Sequence, residues 1–238
     1  MINNLESVIW TDENYRNFLT ELESLGDENY RTRQEKIIVT DYPLIGIKMG
    51  ELQKIGKSIS KGNPKEFLKV AGSENYEVVI IQGYVLANLK LPLEAFEQYC
   101  TEYLSKANAW SIVDMVVHFK LILKFRDEFL VVVKKYLKSD NFWFQRTGLV
   151  FLLKFYLTPD YIDESLQLTL SVKSDEYYVQ MAQAWLFSAA FPKDPGKIYS
   201  IISDDPLSKL SKLTVRRIKS LTHTTADEKD KLQSLINN

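Results

Sequence analysis

The chain has 238 residues, 45% of them apolar and 26% charged, with a formal net charge of −1. That length suits one sizeable core or a short repeat array, and the near-neutral charge excludes a uniformly basic nucleic-acid binder. One cysteine, Cys100, and two histidines, His118 and His223, exclude an internal disulfide framework and zinc sites built from several thiolates or imidazoles.

The opening residues, MINNLESVIW, have neither a basic n-region nor an apolar h-region. No stretch reaches the roughly 18 uninterrupted apolar residues that a spanning helix needs, so a cytoplasmic protein without a membrane partner is expected. The first thirty residues are acidic, carrying Glu6, Asp12, Glu13, Glu21, Glu23, Asp27 and Glu28 against Arg16 alone. A cluster of cations, Lys209, Lys212, Arg216, Arg217 and Lys219, lies near the other end. Such asymmetry permits a local basic surface on a neutral protein, and it also fits a solvated helix face.

Glycine and proline are scarce, hairpin dipeptides are absent, and apolar residues recur at helical spacing, which predicts an all-α chain. Residues 1–66 read as an N-terminal helical cap region and 67–238 as repeats, together forming a single domain. Asn63-Pro64 opens the helix PKEFLKV, Pro92 opens PLEAFEQYC, and Thr158-Pro159 opens PDYIDESLQL. Within FEQYCTEYL, Cys100 reads as a buried structural residue rather than a nucleophile.

Four further segments align with one another: SENYEVVIIQGYVLANL, KANAWSIVDMVVHFKL, SDNFWFQRTGLVFLLKF and SDEYYVQMAQAWLFSAAF. Their leading aromatics, Tyr76, Trp110, Phe142 and Tyr177, are 34, 32 and 35 residues apart, with another helix between each pair. Three of the segments start with serine and an acidic or amide residue, in the form of a helix N-cap. A helix pair at this interval predicts an α-solenoid of antiparallel HEAT-like pairs with a concave groove.

Four residues beyond each aromatic stand Ile80, Asp114, Arg146 and Met181, and Trp185 follows Met181 one turn later. If equivalent helices line one surface, Trp110, Asp114, Arg146 and Trp185 gather in the groove as a carboxylate and a guanidinium between two indoles. An inter-helix salt bridge with packed tryptophans is the alternative. Trp10 and Trp143 read as packing residues. His118 follows Asp114 by four residues, either as a general acid or base or as a satisfied, half-buried side chain. The run SKLSKLTVRRIKSL is the best candidate for phosphate contacts.

These segments resemble, over about residues 27–222, the HEAT-like repeat DNA glycosylases of the alkylpurine glycosylase D family, the DNA alkylation repair proteins. YPLIGIKMGELQKI resembles the family's Pro-x-x-Gly-Ile element and NAWSIVD its Trp-x-x-x-Asp motif. FWFQRTGLVFLLKF resembles its Trp-x-x-Arg segment, and YYVQMAQAWLFSAAF the helix bearing its second tryptophan. The resemblance implies release of cationic N3- or N7-alkylated purines from double-stranded DNA. In that reading Asp114 faces the deoxyribose, Trp110 and Trp185 cradle sugar and phosphate, and Arg146 contacts a phosphate. Lys212, Arg216 and Arg217 join it as DNA-binding residues.

Because an alkylated purine already carries positive charge, stabilising an oxocarbenium-like sugar suffices, and a carboxylate with two indole faces supplies that stabilisation. No metal and no organic cofactor is expected, and the protein is expected to act as a monomer. Ser188 and Met181 stand where some active members carry arginine and lysine. Two alternatives follow from those departures and from the fold: a paralogue that binds damaged or branched DNA without excision, and a protein-binding scaffold.

Overall fold

The computed structural model describes residues 2–237 as helices and connecting loops, with no β-strand among them. They form two compact units, the first ending at Phe129 and the second beginning at Leu130.

The first unit starts with a 3-10 segment, Ile2–Ser7. It continues through α1 (Asp12–Glu23), α2 (Glu28–Glu35), α3 (Met49–Ile59), α4 (Pro64–Val70), α5 (Tyr76–Asn88) and α6 (Leu93–Leu104) to the short α7 (Trp110–Val113). Two further 3-10 segments follow, Asp114–His118 and Lys120–Lys124, and then the first turn of α8 (Arg126–Leu137). Helix α5 is the core: every residue from Tyr76 to Leu86 is buried, including the polar Glu77 and Gln82. It packs against α3 at Gly56, where a Cβ would stand 2.5 Å from that of Tyr84, so only glycine lets the two helices come this close. Trp10 packs edge-on against Phe18 and Phe67, the packing role expected of it. Cys100 is fully buried on α6, and burial pushes its thiol well up, as expected of a structural cysteine.

Helices α9 (Phe142–Phe151), α10 (Ile162–Ser171), α11 (Tyr177–Ala190), α12 (Pro195–Asp204), α13 (Lys209–Lys219) and α14 (Ala226–Asn237) make up the second unit with the remainder of α8. Helix α9 continues into a π-type turn at Leu152–Tyr156. Helix α11 lies between α9 and α13 and touches both along its length, so alternate helices stack side by side. That is the layering the helix-pair period predicts.

All four leading aromatics begin a helix: Tyr76 opens α5, Trp110 α7, Phe142 α9 and Tyr177 α11. The side-chain caps come from Asn75 and Asn141, not from the serines two residues ahead of each. Ser139 and Ser174 instead accept from the backbone N–H of Asn141 and Glu176, in turns that lead into α9 and α11.

Two sequence expectations are corrected. Pro159 does not open α10, which starts at Ile162. Thr158 closes a turn by accepting from the N–H groups of Tyr161 and Ile162. The segment expected to be one helix from Lys106 also breaks, leaving a single α-turn and two 3-10 pieces. From Val113 onward its fully buried residues, Val113, Val116, Phe119 and Ile122, are spaced by three. A 3-10 turn puts residues three apart on one face, whereas an α-helix would carry this set around its axis.

Candidate functional site

In the first unit the candidate residues sit on α7. Trp110 is its first residue and Asp114 its C-cap, and both are half-buried. The Trp110 indole N–H donates to Ile37 O at 3.4 Å, across from the loop that follows α2. That loop is fastened to the one preceding α7: Thr40 Oγ1 donates to Asn108 Oδ1 at 2.6 Å and the Tyr42 hydroxyl donates to Lys106 O at 2.8 Å. Ile37 and Val39 remain exposed on it. The His118 ring packs on Tyr84 with centroids 5.2 Å apart. The four-residue register that aligned His118 with Asp114 belongs to an α-helix and does not carry into the 3-10 segment that joins them.

An acid that sequence reasoning passed over organises the same unit. Glu77, 2% exposed, accepts from the N–H groups of Ile45 (2.9 Å), Gly46 (2.7 Å) and Ile47 (3.3 Å). The chain turns there through Gly46 at φ +94°, where a Cβ would meet Asp27 O. Glu77 is therefore the anchor of the Pro-Leu-Ile-Gly-Ile stretch. Its position as the one charged residue of an otherwise largely apolar helix was the available signal.

In the second unit the candidates lie on α9, α11 and α13. Arg146 is 5% exposed and donates through Nη1 to Tyr178 O at 2.7 Å, which ties α9 to the first turn of α11. At the same end Trp143 stacks obliquely between Phe142 and Tyr178, with centroids 4.6 and 5.1 Å away, and so packs as expected. Trp185 is half-buried on α11, and the Arg217 guanidinium of α13 lies over its ring, 5.3 Å from the centroid. Ser188, 2% exposed, donates to Trp185 O at 2.8 Å.

The basic run on α13 thus divides. Arg217 faces Trp185, whereas Lys212, Arg216 and Lys219 line a groove of about 440 Å³ against α14. Lys219 donates to Gln233 Oε1 at 2.7 Å, and no carboxylate lines the groove among the described residues. Lys219 belongs to the run expected to contact phosphates, and it lies one helical turn beyond Arg216 as Lys212 lies one turn before it.

A family model described as DNA alkylation repair enzyme matches residues 18–217. The chain belongs to the DNA alkylation repair enzyme family. A solved structure named "Predicted DNA alkylation repair enzyme from Enterococcus faecalis" superposes with a TM-score of 0.63 at 15% identity. The match covers 84% of this chain and 98% of that one, so the two share a fold. Comparison with curated proteins yields no significant match.

For a DNA alkylation repair protein the surroundings of Trp185 are informative. Ser188, where the sequence resemblance leads one to expect an arginine, is enclosed and bonded back to the α11 backbone. A guanidinium reaches Trp185 nonetheless, from α13. Among the described residues no cluster of three or more histidine, cysteine, aspartate or glutamate side chains is placed to hold a metal ion, and no helix is long and apolar enough to cross a membrane.

Proposed function

We propose that this member of the family is a DNA glycosylase that releases cationic N3- and N7-alkylated purines from double-stranded DNA. The observation that carries the reading is the Trp110–Asp114 pair on one short helix within a chain of this family, with both side chains half-buried rather than lost in the core.

The bond from the sugar C1′ to the purine nitrogen breaks with its electron pair passing to the base. This neutralises the positive charge that alkylation placed there, so no general acid is required. The sugar is left as an oxocarbenium ion. The Asp114 carboxylate opposes that developing charge, and the electron-rich faces of Trp110 and Trp185 add to its stabilisation. Water then adds at C1′ and gives up a proton, with Asp114 as its acceptor. The chemistry as written calls on no metal or cofactor. Arg146, Lys212, Arg216 and Arg217 act on DNA phosphates, with Arg146 contributing from a buried position and Arg217 from the ring of Trp185. The protein works as a monomer.

Incubation with methylated duplex DNA, followed by assay of liberated methylpurine, tests this. Release above the spontaneous rate that Asp114→Asn abolishes is expected, and release no faster than without protein sinks the reading. Met181 and the enclosed Ser188 favour a second reading, binding of damaged or branched DNA without excision. That reading predicts salt-sensitive binding, unchanged by Asp114→Asn, with no released base. A protein-binding scaffold would show no affinity for duplex DNA of any structure.

A further inference from the structure

A cavity of about 340 Å³ opens in the second unit where the loop before α11 meets the end of α12 and the start of α13. Its volume falls within the roughly 300–1,000 Å³ of small-molecule sites. Gln180, Gln183 and Phe187 of α11 line it. Five residues separate Gln180 from Trp185, about 140° around a helix at 100° per residue. The cavity is therefore distinct from the surface on which Trp185 meets Arg217.

The chemistry of its wall is one-sided. Leu170, Phe187 and Ile202 form an apolar floor, while Asp175, Asp204 and Asp205 supply three carboxylates against the single cation Lys173. None of the three carboxylates is in an ion pair among the described residues. Helix α12 ends at Asp204, so its C-terminal carbonyls add negative potential at this rim. The opposing start of α13 is already capped, because Ser208 Oγ accepts from Ser211 N and Ser211 Oγ donates to Asp205 O.

Two wall residues carry oxygens without a hydrogen-bond partner: Oε1 of Gln180, 9% exposed, and Oγ1 of Thr214, 1% exposed. Gln180 Nε2 donates to Ser174 O, so the amide's acceptor half is the unsatisfied one. Buried polar atoms in this condition are rare in folded proteins. The terminal torsion of a glutamine amide is soft, so Oε1 can meet an entering donor by rotation without a backbone shift.

We infer that this cavity binds a small organic cation, a primary ammonium carried on an apolar body. The apolar part lies against Phe187 and Ile202, and the ammonium is shared between the rim carboxylates and the Gln180 acceptor. The inference is independent of the glycosylase reading.

Titration calorimetry with 2-phenylethylammonium tests it, with 2-phenylethanol as the neutral analogue and phenylacetate as the anionic one. The ammonium is expected to bind at least tenfold more tightly than either, and the exposed double change Asp204→Asn, Asp205→Asn to weaken it at least tenfold. Thr214→Val separates a site from a packing defect. It removes an unsatisfied hydroxyl at nearly constant shape, so it raises the melting temperature of the ligand-free protein and leaves affinity for the ammonium within about twofold. Absence of saturable binding by the ammonium, equal binding of phenylacetate or phenylethanol, or unchanged affinity in the double variant overturns the inference.

Discussion

The Arg217 guanidinium lies 5.3 Å from the ring centroid of Trp185, brought there from α13 to α11. A cation over an indole face contributes about 0.5–1 kcal/mol when solvent reaches it, and Trp185 is only half-buried. The larger consequence is for DNA. Arg217 supplies positive charge beside a tryptophan whose own helix, α11, carries no charged residue. Arg217→Ala is expected to lower the slope of log affinity against log salt by about one, uniformly across DNA sequences. Arg217→Lys should retain most of that slope while losing the guanidinium contact over Trp185. Binding isotherms at several salt concentrations, with tryptophan fluorescence as a second signal, read both effects.

The helix-pair period was legible because four aromatics each open a helix, and the sequence marks a helix start more clearly than its end. The 3-10 stretch after Asp114 was legible in principle. Val113, Val116, Phe119 and Ile122 repeat every three residues, but among so many apolar residues a 3.6-residue pattern also fits. The pairing of Arg217 with Trp185 was not legible, since it depends on contact between α11 and α13, 32 residues apart in sequence. Glu77 was missed for a related reason. Its partners are backbone amides about thirty residues upstream, and amides leave no mark in residue identity.

If the indoles stabilise a cationic sugar, their electron density matters more than their bulk. Trp110→Phe and Trp185→Phe are each expected to slow methylpurine release severalfold, and the alanine variants by roughly thirtyfold, the equivalent of about 2 kcal/mol for a desolvated cation–π contact. Duplex affinity should change much less than the single-turnover rate. Equal losses in affinity and rate would instead assign the tryptophans to binding.

Removing the Glu77 carboxylate leaves three backbone N–H groups of the 45–47 stretch without their acceptor. Glu77→Ala is expected to cost about 3–5 kcal/mol, in line with breaking a buried charged interaction. Glu77→Gln, which keeps one acceptor oxygen, should cost roughly half of that. Gly46→Ala strains the same turn from the other side, at φ +94° and against Asp27 O. Urea denaturation should show lowered midpoints with the slope preserved, and Gly46→Ala combined with Glu77→Ala should be less than additive because both loosen one turn.

Alkaline pH should unfold the protein through groups that burial holds in the neutral form. Burial pushes the Tyr76 phenol up to about 12. It raises Tyr103 as well, and it raises Tyr15, whose hydroxyl also donates to Glu74 Oε2 at 2.6 Å. The Cys100 thiol is raised in the same way. In the unfolded chain a tyrosine ionises near 10 and a cysteine near 8.5. Above those values the unfolded state gives up protons that the folded state keeps, so each group's contribution is complete below its unfolded pKa and is lost as pH rises toward its folded one. Stability should therefore be level up to about pH 8.5, then fall with a slope of about 1.4 kcal/mol per pH unit for each group engaged. Tyr76→Phe should remove one proton's worth of that slope between about pH 10 and 12. Urea midpoints measured from pH 8 upward test this, and an unchanged slope in Tyr76→Phe would show that its phenol ionises alike in both states.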